Sequence, residues 1–183
     1  MKNGAGSYRR FLDGDESAFD DLLALYQENL IFFINRYVHN ITVAEDLAAD
    51  VFLDLIVHKH RYNFKTSLKT YLFMIGRSRA LNYLKREGRC RTVEISEAGE
   101  LIQVETVFEE QILKEEEKQV LLRAMRALPE NYQTGLHLVY FENMSYEETA
   151  RVMKKNLKQV KNLVYRAKKA LRSILEGDKQ GEK

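Results

Sequence analysis

Apolar positions recur along this chain at helical spacing. Phe19, Leu22, Leu23, Tyr26, Leu30, Phe33, Ile34 and Tyr37 follow one another at intervals of three and four. That spacing predicts one long amphipathic helix with a wide apolar face. His39-Asn40-Ile41 interrupts it. Thr42-Val43-Ala44-Glu45 then has the form of a capping box, with Thr42 as the expected N-cap. Leu47, Ala48, Val51, Phe52 and Leu55 give the next helix its buried stripe. His58 to Thr66 lacks periodicity and reads as a loop. Thr66 or Ser67 is placed to cap a third helix, with Leu68, Tyr71, Leu72 and Ile75 inward and continuing through Ala80, Leu81 and Leu84. Gly76 weakens that helix locally, by roughly 1 kcal/mol relative to Ala.

Residues 92–106, TVEISEAGELIQVET, are acidic and aperiodic, and are expected to be a flexible linker. A helix from Phe108 to Leu128 follows, with Val120, Leu121, Ala124, Met125 and Leu128 inward. Pro129 suits the first turn of the next helix, along which Tyr132, Leu136 and Tyr140 continue the apolar face. Ser145-Tyr146-Glu147-Glu148 is a second capping box, opening a short helix that buries Ala150 and Met153. After the turn Lys154-Lys155-Asn156, Asn156 caps a last helix with Val160, Leu163, Val164, Ala167, Leu171 and Ile174 inward. The expectation is an all-α fold of two small helical domains, residues 1–91 and 107–183, joined by the linker. The second carries a helix-turn-helix.

Composition supports that reading. A single Pro and nine Gly in 183 residues disfavour a turn-rich β fold. One Cys, Cys90, forms no internal disulfide, and no apolar run approaches a membrane span. A cytoplasmic location is therefore expected. No phosphate loop, nucleophile elbow or paired catalytic His is present, and His58-Lys59-His60 makes a poor metal site. Neither enzyme chemistry, a metal nor a cofactor is expected.

Charge is sorted along the chain despite a net value of only +2. Residues 12–56 hold ten acids and one base, residues 59–91 ten bases and one acid, and residues 93–118 nine Glu and two Lys. Arg151 to Arg172 then holds nine Lys or Arg and no acid. Such alternation suggests separate surfaces for separate partners. Lys155 in the turn, with Lys158, Lys161 and Arg166 on the last helix, is placed to neutralise phosphates. Gln159, Asn162 and Tyr165 share the faces left outside its apolar stripe, and the amides can pair with base edges. Between residues 59 and 91, Lys65, Lys69, Arg77, Arg79, Lys85 and Arg86 alternate with Tyr62, Phe64, Tyr71, Phe73 and Tyr83, which suits a single strand. Asp46, Asp50 and Asp54 recur every four residues beside Leu47 and Val51, a stripe fit for a basic protein surface.

Three segments in order, VAEDLAADVFLDLI, FKTSLKTYLFMIGRSRALNYLKR and LPENYQTGLHLVYFENMSYEETARVMKKNLKQVKNLVYRAKKAL, resemble bacterial RNA polymerase sigma factors of the extracytoplasmic-function (ECF) group. The resemblance spans roughly residues 8–175. It implies that Glu45, Asp46, Leu47, Asp50, Val51 and Asp54 belong to the helix that docks on the clamp coiled coil of the largest polymerase subunit. It implies that Asn63, Lys65, Tyr71, Arg77, Arg79, Asn82 and Lys85 belong to the part that opens promoter DNA and captures a flipped base. It assigns the helix-turn-helix to the "minus thirty-five" element. The partners implied are core RNA polymerase, promoter DNA and an anti-sigma factor. This chain departs from the family pattern at Tyr71, where Trp is frequent, at Ser78 and Asn82, at Lys154, where Gly is frequent, and at Gly135 and His137. Composition and spacing alone leave two other classes open, a helix-turn-helix regulator that never meets polymerase and a protein-binding adaptor.

Overall fold

The computed structural model describes residues 4–88 and 115–181, and the chain divides into two compact units, Met1–Glu94 and Ile95–Lys183. The described residues form helices and the turns between them, with no strand among them. The expected linker and Cys90 lie outside them, as does the start of the helix expected from Phe108.

The first unit contains α1 (Gly4–Leu12), α2 (Ser17–Val38), α3 (Ile41–Val57) and α4 (Leu68–Arg86). α2 is the hub, packing against each of the other three. Its Leu22, Leu30, Phe33 and Ile34 are fully buried, as are Leu72 and Phe73 of α4. Each stabilises the fold by about 1.5–3 kcal/mol relative to an exposed side chain. The rings of Phe33 and Phe73 meet at 4.8 Å. Gly76 has a packing role that helix propensity does not capture: a Cβ there would lie 2.8 Å from Leu30 Cδ1 and 3.3 Å from Ile34 Cδ1. The missing side chain lets α4 approach α2 closely. Leu68 and Leu72 are buried as expected and Phe73 joins them, whereas Tyr71 and Ile75 are only half-buried.

The break after α2 is sharp. His39 takes the left-handed conformation at φ 51, and Asn40 begins the next helix. Asn40 Oδ1 accepts a hydrogen bond from Val43 N, so the N-cap is Asn40 and not Thr42. An Asn at the position with extended backbone outcompetes the Thr two residues later, which already lies inside the helix. Ser67 caps α4, accepting from Thr70 N.

In the second unit, α5 (Glu115–Arg126), α6 (Glu130–Leu136) and α7 (Tyr146–Met153) pack around α8 (Leu157–Gly181). Pro129 is the N-cap of α6 and Glu130 its first residue, one position later than expected. α6 runs into a π-helical turn, His137–Phe141, in which Glu142 N donates to His137 O. The wide turn shifts the helical register by one residue. Tyr140, expected inward, is 49% exposed as a result. His137 is buried instead, with Nε2 3.2 Å from Glu142 Oε1 and its ring stacked on Phe141.

Candidate nucleic-acid and protein interfaces

The helix-turn-helix is built by local hydrogen bonds. Ser145 and Glu148 form the expected capping box at the start of α7. At its end Lys154 adopts φ 53, Lys154 N donates to Arg151 O, and Lys155 N donates to Ala150 O. That is a Schellman closure, with a lysine in a place that glycine occupies at least cost. Asn156 Oδ1 then accepts from Gln159 N at 2.8 Å, and Gln159 Oε1 accepts from Asn156 N at 2.9 Å. Gln159 is thus half of a second reciprocal cap, with only its amide N–H groups left for a base edge.

α8 is two-faced. Val160, Leu163, Val164 and Ala167 are buried, while Leu171 and Ile174 are half-buried. Lys158, Gln159, Lys161, Asn162 and Arg166 are exposed, Tyr165 is 71% exposed, and Lys155 is half-buried. Among the described residues no carboxylate pairs with Lys158, Lys161 or Arg166. Unneutralised cations on one side of a helix, opposite an apolar face, attract a polyanion.

The second interface lies in the loop before α4. Asn63 Oδ1 accepts from Lys65 N, an Asx turn that carries Phe64 into the left-handed region at φ 61. Tyr62 is buried beneath, donating its hydroxyl to Thr66 O at 2.6 Å. Its ring meets Phe64 at 4.7 Å, Tyr71 at 5.1 Å and Tyr8 at 5.6 Å. Tyr8 donates to Lys59 O at 2.7 Å and, more weakly, to Leu55 O at 3.2 Å. Burial pushes the Tyr8 hydroxyl up to about 12, with Tyr71 and Tyr62 adding to the shift. Burial also raises Tyr62 and Tyr71, opposed at Tyr62 by the Arg9 cation and at Tyr71 by Arg61. Asn63, Lys65, Asn82 and Lys85 are exposed, and Tyr71 and Arg77 are half-buried. The aromatic floor and its exposed polar rim offer stacking and phosphate contacts together.

Arg79 stands apart from that group. Its guanidinium lies 2.6 Å from Asp54 Oδ2 and 3.2 Å from Asp50 Oδ2. It ties α4 to the acidic stripe of α3, so these two charge blocks meet in one network. Asp54 is also 3.8 Å from His58 Nε2. Of the acids on α3, Glu45 and Asp46 remain exposed with no cation partner among the described residues. Leu47 and Val51, which the resemblance groups with the docking residues, are buried in the first unit's core, as the apolar stripe of α3 predicts. The exposed apolar residues of α3 are others: Ile41, Leu53, Ile56 and Val57. Their recurrence at positions offset from the inner stripe was the signal for them in the sequence.

Comparison with known proteins places both units. The family described as Sigma-70 region 2 matches residues 22–90, and that described as Sigma-70, region 4 matches residues 118–171, together more than half of the chain. The chain belongs to the sigma-70 family. It is a sigma factor of the ECF group, and such a protein binds core RNA polymerase and directs promoter recognition. It is 28% identical over 171 residues to the RNA polymerase sigma-H factor of Pseudomonas aeruginosa, covering 89% of each chain. It is 25% identical to the ECF RNA polymerase sigma factor SigM of Bacillus subtilis, covering 85% of this chain and 93% of SigM. Its fold matches the sigma factor RpoE, solved with the anti-sigma factor NepR from Bartonella quintana, at TM-score 0.64 and 22% identity over 86% of this chain and 96% of that one. Sigma factors are initiation factors without catalytic activity of their own. Among the described residues no helix of this one is long and apolar enough to cross a membrane, and no His, Cys, Asp and Glu cluster suits a metal.

Proposed function

We propose that this sigma factor divides its work between residues 1–91 and residues 107–183, with 92–106 as the tether. The first part docks on the clamp coiled coil of the largest polymerase subunit through α3. Glu45 and Asp46 supply free negative charge there, and Leu53, Ile56 and Val57 supply exposed apolar surface. The loop of Asn63 and Lys65, with Tyr71 beneath it and Arg77, Asn82 and Lys85 along α4, holds the separated non-template strand. Lys155, Lys158, Lys161 and Arg166 of the second part track duplex phosphates, while Asn162 and the Gln159 amide read base edges. Tyr165, the one aromatic residue of α8 and largely exposed, packs on the groove wall beside them. Between rounds of initiation the protein is held by an anti-sigma factor, a reading supported by the solved complex of the similar sigma factor RpoE with NepR.

The observation that supports this reading best is the outer face of α8, where three cations stand without a carboxylate partner among the described residues. Charge reversal tests it. Lys161→Glu with Arg166→Glu should abolish specific promoter recognition and leave association with core polymerase intact. Glu45→Lys with Asp46→Lys should instead abolish association with core polymerase. A protein that recognises its promoter normally after the first pair of changes does not use α8 in this way.

A further inference from the structure

α1 lies outside the matched region 22–90, yet it reaches the strand-opening loop. Tyr8 seats its hydroxyl on Lys59 O, at the start of that loop. One residue on, the Arg9 guanidinium carbon stands 4.9 Å from the centroid of the Phe64 ring. Phe64 is the loop residue at φ 61, a conformation disfavoured for an aromatic residue unless its surroundings hold it. Its ring is flanked by Tyr62 at 4.7 Å and Tyr8 at 6.2 Å, and the Arg9 cation adds a contact from α1.

Arg9 and Arg10 are neighbours with different fates. Arg10 is paired with Asp15 and Asp21. Arg9 is exposed, and no carboxylate lies within ion-pair distance of it among the described residues. Its ring contact is with Phe64, and its charge also acts on Tyr62 beside that ring. An arginine held over an aromatic face by the ring's quadrupole restricts the ring's motion.

We propose that Arg9 is a positioning residue for strand capture: through Phe64 it holds the loop in the shape that receives the unpaired base. The inference rests on the strand-opening reading given above. It adds α1, and one named cation on it, to the machinery. The cation acts through the ring and does not itself bind the DNA.

The test uses the full chain with core polymerase, on a promoter carrying 2-aminopurine in its "minus ten" element. Fluorescence at saturating holoenzyme reports strand opening, and a separate binding assay reports association with core. Arg9→Gln should slow opening by about two- to five-fold, the range of an exposed cation–π contact, without changing association with core. Arg9→Lys keeps the cation and should restore most of the rate. In a Phe64→Leu background, Arg9→Gln should have no further effect.

Three results overturn the proposal. The first is opening at the wild-type rate in Arg9→Gln. The second is a loss that persists in the Phe64→Leu background with a salt dependence reduced by about one charge, which assigns Arg9 to a phosphate. The third is a loss that tracks weaker association with core, which assigns Arg9 to folding or docking. Absence of any fluorescence change with the wild-type holoenzyme sinks the strand-opening reading itself, together with this extension of it.

Discussion

Arg79 Nη2 lies 2.6 Å from Asp54 Oδ2, joining α4 to α3 across 25 residues of sequence. The same guanidinium reaches Asp50 at 3.2 Å. A cation within the most basic stretch of the first unit is thus committed to the acidic helix.

Arg79→Ala should destabilise the first unit by about 1 kcal/mol, the scale of a partly exposed, charge-assisted pair. Asp54→Ala should cost a similar amount. Urea unfolding of both single variants and the double variant gives the coupling energy. A cycle that closes additively means the two side chains do not stabilise each other.

Lys154 holds φ 53 in the turn between α7 and α8. A non-glycine residue there carries a cost of about 1–2 kcal/mol, part of which glycine returns through its freer unfolded chain. Lys154→Gly should therefore raise the stability of the second unit by roughly 0.5–1 kcal/mol. Thermal unfolding with the wild type alongside decides the sign.

Gln159 serves both the helix cap and the outer face of α8. Gln159→Glu keeps an oxygen for Asn156 N but removes the amide donors, so it should alter base preference and leave unfolding nearly unchanged. Gln159→Ala should disturb both, with a stability cost of about 0.5–1 kcal/mol. Selection from a randomised "minus thirty-five" library, run beside calorimetry, separates the two effects. Equal base preference in all three proteins would remove Gln159 from readout.

Tyr8 gives the first unit an alkaline limit. A tyrosine hydroxyl ordinarily titrates at 10.0, and burial pushes this one up to about 12. The unfolded chain sheds the proton near pH 10 while the folded chain keeps it. The contribution of Tyr8 to stability is therefore full below pH 10 and falls by roughly 1.4 kcal/mol per pH unit from there towards 12. Tyr8→Phe should lose about 1 kcal/mol at neutral pH through its hydrogen bonds, and its stability should fall less steeply between pH 10 and 11. Parallel slopes in the two proteins would mean that Tyr8 does not set the limit.

Features fixed by neighbouring residues were legible in the sequence. The Ser145 capping box, the Asn156 cap and the apolar stripe of α8 each depend on residues a turn or two apart. What failed depended on competition or on distance. Asn40 displaced Thr42 because two capable caps stand within one turn of each other, and the extended backbone falls at Asn40. Tyr140 turned outward because a π-helical turn leaves no mark in a period of three and four. The buried stripe of α3, Leu47 and Val51 included, was legible, but the outward apolar residues Leu53, Ile56 and Val57 were not singled out. Arg79 could not be withdrawn from the basic block until α3 and α4 were seen to pack.

Run-off transcription with purified core polymerase and this chain, on a library of genomic promoters, tests polymerase docking, strand opening and duplex reading at once. Discrete transcripts should appear only when both proteins are present, from a small set of promoters sharing two spaced elements. They should vanish on Lys161→Glu with Arg166→Glu. No transcript above core polymerase alone from any promoter, with both proteins folded and mixed, would contradict the assignment.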